Sequence, residues 1–484
     1  MKPRFEPVCP LRAAALATPD AAAILDARRA VSYAGLDRWV SDTVARLREA
    51  GYGPGARVAL YMPRDERYVV FLLALLRAGC ISCPLSTRLP PQGVPRLLRR
   101  AACATLVSED ERILGVLPSG ARGLRPEALI GGPGEEGVGR DRAESVYLPL
   151  ERPATVVFTS GSTGGPKAAL HTFGNHYYSA LGSNANIALS PGDRWLLSLP
   201  LYHVGGLSII FRCLLAGATI VLPETGAPVG RSMAEFGITH ASLVATQLRR
   251  LLQERVELTS LKAVLLGGGP TPESLLADAA DRGLPVHNSY GLTEMASQVT
   301  TTPPAAIPED LRTSGRPLAH REVAVSEEGE ILVRGDTLFA GYVEGDGIDR
   351  PLDAEGWFHT RDLGEIDERG NLHVKGRLDN LFISGGENVR PEEIEEALER
   401  MEEVERAVVV PVPDSEFGER PVAFLQVAGA GKIPESLAGK LEKALPRFKI
   451  PVAFYEWPDE ADVGGRKPDR GFLRGRAQAL RREA

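Results

Sequence analysis

Nine consecutive residues, Thr159, Ser160, Gly161, Ser162, Thr163, Gly164, Gly165, Pro166 and Lys167, combine four hydroxyls, three glycines and a lysine directly after the apolar run ATVVF. Glycines let backbone N–H groups approach an anion closely, and hydroxyls with one ammonium complete the donors that a polyphosphate needs. The spacing is not that of GxxxxGK[ST], because neither serine nor threonine follows Lys167. A second group, His287 to Glu294, lies shortly after Leu266-Gly267-Gly268-Gly269-Pro270. Its aromatic ring, amide and glycine backbone suit a purine, and the Glu294 carboxylate is a hard ligand of the kind Mg2+ takes. A third, Trp357 to Gly364, is followed by Gly376, Arg377, Leu378 and Asp379, so that an acidic group and an arginine are available for ribose hydroxyls. Near the far end, Gly464-Gly465-Arg466-Lys467-Pro468 sets Lys467 in a glycine-rich loop that can carry a point charge into a site and out again.

The elements that must position these groups are short apolar runs such as RVALYM, ATVVF and LKAVLLG, alternating with longer segments such as ERYVVFLLALLRAG. That alternation predicts an α/β fold with parallel layers. A break falls near residue 376, before the acidic helix PEEIEEALERMEEV, whose Pro391 suits a first helical position. Strand, strand, helix and strand patterns follow, which predicts a C-terminal domain of about a hundred residues. The 484 residues are 43% hydrophobic and 25% charged, an ordinary globular composition, and 56 basic against 63 acidic residues leave a net charge of −7. No general attraction to nucleic acid or an anionic membrane follows, so an anion must be held locally. Five scattered cysteines do not form a disulfide framework, and Cys80 and Cys83 sit in an apolar run as core residues; a reducing cytoplasm is the expected compartment. The run over residues 69–76 is far short of the roughly 18 residues that span a bilayer, and the N-terminus has no signal-peptide pattern. Neither a helical His pair at i, i+4 nor a GxSxG elbow is present.

The four clusters, in this order and over most of the chain, resemble the adenylate-forming superfamily of acyl-CoA synthetases, peptide-synthetase adenylation domains and luciferases. The resemblance implies a large N-terminal domain of layered α/β subdomains with a small barrel-like subdomain, residues 1–378, and a small mobile α+β C-terminal lid, residues 379–484, turning about a hinge at Asp379. It implies ATP, Mg2+ and CoA as the small molecules used. A carboxylate attacks the α-phosphorus of ATP to give an acyl-adenylate and pyrophosphate, and a thiol then displaces AMP. On that pattern Thr159, Ser160, Gly161, Ser162, Thr163, Gly164 and Lys167 hold the outer phosphates, and Glu294 carries the metal. Gly268, Ser289, Tyr290, Gly291 and Thr293 border the adenine, with Tyr290 stacked on it. Asp362 and Arg377 hold the ribose, Lys467 neutralises charge at the α-phosphate, and Ser384, Gly385 and Gly386 border the pantetheine path. Arg466 departs from the glycine usual before the C-terminal lysine.

Two further segments, containing Gly174-Asn175-His176 and Thr293-Glu294-Met295-Ala296-Ser297-Gln298, look like the o-succinylbenzoate-CoA ligases of menaquinone biosynthesis. Their substrate is an aromatic dicarboxylate, one carboxyl activated and the other needing an anchor. Arg212, nine residues after His203 in the apolar segment LSIIFRCLLAG, is the candidate anchor, because a guanidinium buried there needs a ligand carboxylate or an internal Asp or Glu. His203 closes the acyl pocket on the family pattern, and Asn175, Ser297 and Gln298 are further substrate-binding candidates. The alternatives are another aryl- or acyl-CoA ligase and a stand-alone adenylation module that loads a carrier protein. Nucleic acid and membrane insertion are not expected, and homo-oligomerisation stays open.

Overall fold

The computed structural model describes residues 7–131, 146–159, 166–304, 306–345, 347–385, 387–414, 416–428, 432–434, 436–442, 444–458 and 469–483. Two large sheets dominate residues 22–349. One runs, edge to edge, through Gly347–Asp349, Gly341–Glu344, Lys167–Thr172, Pro153–Thr159, Ile81–Pro84, Arg57–Tyr61, Thr105–Ser108 and Arg122–Leu124. The other runs through Arg316–Pro317, Ser297–Thr301, Val286–Leu292, Ala263–Leu266, His240–Leu243, Arg194–Leu196, Thr219–Val221, Ala22–Leu25 and Ala30–Ser32. The centre of each is parallel, as the alternating pattern predicts, and antiparallel strands are added where the candidate site lies.

Helices covering these sheets pack in three apolar clusters, the largest of which holds helices Tyr33–Glu49, Glu66–Ala78 and Val204–Ala216. Glu66–Ala78 is buried along most of its length, which explains why VVFLLALL is apolar all round rather than striped. Asp65 caps its first turn by accepting from the Tyr68 amide at 3.0 Å, and Gly79 ends it at φ +82°. At its last turn Arg77 donates to Asp37 at 2.6 Å, and Asp37 also takes Arg12 at 2.7 Å. One buried carboxylate therefore holds two guanidiniums in the core. All five cysteines are buried and free, Cys80 and Cys83 in the core as predicted.

A four-stranded antiparallel sheet of Arg321–Val325, Glu330–Gly335, Phe358–Ile366 and Leu372–Arg377 forms the half-barrel. The short turn Leu378–Asn380 leads from it to the last sheet, in which Val404–Asp414 and Gly418–Val427 form a long hairpin. Helix Pro391–Glu399 packs on that hairpin, and apolar clusters built only from residues beyond 381 fill this C-terminal part. The architecture is the mixed α/β arrangement expected, with a half-barrel and a small C-terminal domain.

Removing the shared counter-ion tests the buried charge cluster. Asp37→Ala removes the carboxylate that Arg12 and Arg77 share and costs about 3–5 kcal/mol, read as a lower urea midpoint. An unchanged midpoint would mean that Arg12 and Arg77 find water or other acceptors at no cost.

Candidate functional site

Strands Pro153–Thr159 and Lys167–Thr172 pair antiparallel, and Thr159 lies directly opposite Lys167. The glycine- and hydroxyl-rich segment is therefore the connection of a hairpin; Ser160, Gly161, Ser162, Thr163 and Gly164 lie outside the described residues. Strand Gly341–Glu344 adds to the hairpin's other edge and sets Tyr342 beside it. The Lys167 ammonium lies 4.7 Å from the Tyr342 ring centroid, and the Tyr342 hydroxyl donates to Glu294 Oε1 at 2.5 Å. Burial, reinforced by the Glu294 charge, pushes the Tyr342 phenol far up, so it remains a donor. A lysine, a phenol and a carboxylate from three distant segments thus meet at the hairpin's mouth.

Behind Glu294, buried His171 contacts the Thr293 carbonyl through Nε2 at 2.7 Å. Burial pushes its pKa down to about 4, so the ring is neutral and Nε2–H donates. His176 stacks on Phe211 at 4.7 Å, contacts Thr155 Oγ1 at 2.8 Å, and is likewise driven down by burial.

The second and third clusters meet through Asp362. Tyr290, on Val286–Leu292, donates its hydroxyl to Asp362 Oδ2 at 2.6 Å, while Arg377, opposite Asp362 in the half-barrel ladder, reaches Oδ1 at 3.0 Å. Arg377 also reaches Asp379 Oδ2 at 3.3 Å, and Arg361 pairs with Asp379 Oδ1 at 2.9 Å. Burial opposes the Asp379 charge, but Arg361 and Arg377 outweigh it and hold its pKa below the usual carboxylate range. Burial and the Asp362 carboxylate together push the Tyr290 phenol far up. Ser289 Oγ donates to the Leu266 carbonyl at 2.6 Å, bringing the strand beside the turn at Gly268. Gly291 is needed for close approach, since a Cβ there would lie 2.2 Å from the Ser297 carbonyl oxygen.

After the turn Thr293–Met295, Ala296 and Ser297 both have positive φ, at 54° and 140°. Two consecutive non-glycine residues in this region are costly, and such strain gathers at functional sites. They direct Ser297 and Gln298 at Arg212. This arginine, on helix Val204–Ala216, is 1% exposed. Its Nη2 donates to Gln298 Oε1 at 2.7 Å and to Ser297 Oγ at 3.3 Å, and its guanidinium lies 5.1 Å from the Trp195 ring centroid. Nε and Nη1 have no hydrogen-bond partner, and no carboxylate pairs with Arg212 among the described residues. Burial lowers its pKa to about 9. Nearby Ser183 Oγ and Asn184 Oδ1 are also buried without partners. His203 occupies the exposed N-cap of the same helix, with its ring edge-on to Tyr202 at 4.7 Å. At 1.5 Å per residue it stands about 13 Å along the axis from Arg212.

A model of the AMP-binding enzyme family matches residues 11–343, and a model of the AMP-binding enzyme C-terminal domain matches residues 393–461. The chain belongs to the AMP-binding enzyme family. The 2-succinylbenzoate–CoA ligase of Bacillus cereus is 33% identical over 456 residues, covering 91% of this chain and 92% of that relative. The o-succinylbenzoate CoA synthetase of Bacillus subtilis in complex with the acyl-adenylate intermediate OSB-AMP matches with TM-score 0.86 at 30% identity, over 97% of this chain and 98% of that one. The same enzyme in complex with ATP and magnesium ion matches with TM-score 0.83 at 30% identity, over 93% and 96%. This AMP-binding enzyme is an adenylate-forming acyl-CoA ligase, an acid–thiol ligase that forms AMP.

One expectation for the family member is corrected by its hydrogen bonds. Asn175 Oδ1 accepts from the Thr172 amide at 2.8 Å, and its Nδ2 donates to the Asp336 and Leu338 carbonyls at 2.9 and 2.8 Å. Both amide protons are committed to backbone, so Asn175 caps a helix and ties down a loop rather than reading a substrate. Ser384 is buried with an unpartnered hydroxyl, and Gly385 has φ +60°; Gly386 and Lys467 lie outside the described residues. Tyr342, His171, Trp195 and Arg361 escaped the sequence reading. Of these only Arg361 carried a local signal, its place beside Asp362 in the segment Trp357 to Gly364, and the backbone holds it at φ +63°.

His171 and His176 set an acid limit. The unfolded rings protonate near 6.5 and folded His171 only near 4, so the unfolded chain binds more protons between these values. Stability from this source is complete above about pH 6.5 and is lost as pH falls toward 4. His171→Asn should flatten that limb of the urea midpoint against pH; an unaltered limb would assign the acid loss to other groups.

Proposed function

We propose that this enzyme is an o-succinylbenzoate–CoA ligase serving menaquinone synthesis, and the observation carrying that reading is Arg212. A buried guanidinium with two unpartnered N–H edges, flanked by Ser297 and Gln298 and stacked on Trp195, suits the ring carboxylate of an aromatic dicarboxylic acid. A carboxylate there would supply the missing counter-charge. His203, about 13 Å along the helix, would border the succinyl end near the nucleotide. The relatives named for this substrate, similar over more than nine-tenths of the chain, support the reading.

The succinyl carboxylate attacks the α-phosphorus of ATP, the bond to pyrophosphate breaks, and the acyl-adenylate remains. The CoA thiolate then attacks the acyl carbon, the bond to AMP breaks, and the thioester leaves. In this reading Thr159, Lys167 and the residues between them hold the β- and γ-phosphates, and Tyr290 stacks on adenine beside Gly268, Ser289, Gly291 and Thr293. Asp362, already oriented by Tyr290 and Arg377, takes the ribose hydroxyls. Such chemistry is mostly positioning and charge neutralisation. Glu294 fits Mg2+, which binds through one or two carboxylates with phosphate oxygens and water; among the described residues no cluster of three His, Cys, Asp or Glu offers a protein cage. When bound, the ion would neutralise phosphate charge. Lys467 would serve the α-phosphate, Ser384, Gly385 and Gly386 would border pantetheine, and residues 379–484 would turn as a lid about Asp379. The five free cysteines agree with a reducing cytoplasm, and no described helix is long and apolar enough to cross a membrane.

Pyrophosphate release and thioester formation, measured with Mg-ATP, CoA and a panel of o-succinylbenzoate, benzoates and fatty acids, should favour o-succinylbenzoate. Preference for another acid would leave the adenylation chemistry and overturn the substrate. Arg212→Ala should raise KM for o-succinylbenzoate by about a hundredfold, with KM for ATP nearly unchanged. An unchanged acid KM would remove the anchor. Lys467→Ala should abolish adenylate formation while thioester formation from supplied acyl-adenylate survives, and equal loss of both steps would contradict that division.

A further inference from the structure

A second guanidinium lies behind Gln298, on the side away from Arg212, and the reading above gives it no task. Arg321, at the head of strand Arg321–Val325, is 6% exposed. Its Nε donates to the Ala319 carbonyl at 3.2 Å, Nη2 to the Ser179 and Tyr178 carbonyls at 3.2 and 3.5 Å, and Nη1 to the Gln298 carbonyl. Gly182 leaves room for it, because a Cβ at that helical position would lie 2.7 Å from Arg321 Nη2. No carboxylate pairs with Arg321 among the described residues. Burial, with a further contribution from the Arg212 charge, lowers its pKa to about 9.

Gln298 connects the two cations. Its main-chain carbonyl takes Arg321 and its side-chain oxygen takes Arg212. Two like charges on either side of one residue, in low dielectric and without an acid among the described residues, raise the electrostatic cost of leaving Arg212 without an anion. Carbonyl dipoles solvate Arg321 without cancelling its charge. The pocket therefore carries more positive potential than a single Arg–carboxylate pair would need.

We infer that Arg321 is a specificity-determining positioning residue, which never touches the substrate but sets the preference for a dicarboxylate through its charge behind Gln298. The inference rests on the o-succinylbenzoate reading. An acid lacking the ring carboxylate puts no charge beside Arg212 and gains far less from this potential, whereas a ring carboxylate there would lie in the field of both guanidiniums. Arg321 also fixes the carbonyl of the residue that orients Arg212.

The test compares KM and kcat for o-succinylbenzoate and for 4-oxo-4-phenylbutanoate, the same acid without its ring carboxylate, in wild type, Arg321→Met and Arg321→Lys. Arg321→Met keeps the bulk and removes the charge. It should raise KM for the dicarboxylate about tenfold, with kcat and the monocarboxylate KM within about twofold. Arg321→Lys keeps the charge without the fork and should restore most of the preference. Equal KM changes for both acids, no change in either, or a lysine variant as impaired as methionine would overturn the role assigned to the charge. Thermal melts report folding. If Arg321→Met does not fold, the lysine variant decides, with selectivity within about twofold of wild type supporting the inference and a loss of about tenfold overturning it. Absence of dicarboxylate preference in the wild type would instead overturn the substrate reading itself.

Discussion

A guanidinium taken out of water must be given either an anion or a set of acceptors, and the buried arginines of this enzyme meet that constraint in three ways. Arg12 and Arg77 meet it with Asp37, inside the core and remote from chemistry. Arg321 meets it with four carbonyl groups. Arg212 meets it only partly, with Gln298 and Ser297 on one nitrogen and Trp195 near its plane, leaving two N–H edges unmatched. The contrast between these solutions separates a charge neutralised inside the fold from one to which the described residues offer no counter-charge. The strained backbone at Ala296 and Ser297 belongs to the same arrangement, because it aims the side chains that hold Arg212.

A protein of net charge −7 has no general attraction for a polyphosphate, so such an anion depends on local groups of charged residues. Lys167, Tyr342 and Glu294 form one group, and Tyr290, Asp362, Arg377, Asp379 and Arg361 form a connected second one. The second group reaches the turn Leu378–Asn380, through which the chain enters its C-terminal part. Neutral His171 supports Glu294 from behind through the Thr293 carbonyl, adding a hydrogen bond without adding charge.

Much of this was legible before any coordinates. The alternating runs specified the parallel α/β layers, and the apolar helix Glu66–Ala78 and the core placement of Cys80 and Cys83 followed from hydrophobic pattern alone. The hairpin connection after Thr159 was expected to hold an anion from its composition, and Arg212 stood out as a charge in an apolar helix, where the structure buries it. Asn175 misled, since an asparagine three residues after Thr172 fits a capping box as well as a ligand contact, and sequence spacing does not distinguish the two. Tyr342 and Trp195 carried no signal, because an aromatic on a strand is ordinarily core.

By itself, then, the sequence determined which residues have the chemistry, since side-chain type and local period are properties of neighbours along the chain. Only the tertiary structure decided which of them meet. Whether Arg212 finds an internal acid, whether Glu294 stands near Lys167, and whether Arg321 and Arg212 meet at Gln298 depend on strand order and register across separations of 85 residues and more. Burial completes the decision, because the same guanidinium is inert in water and demands a partner in the core.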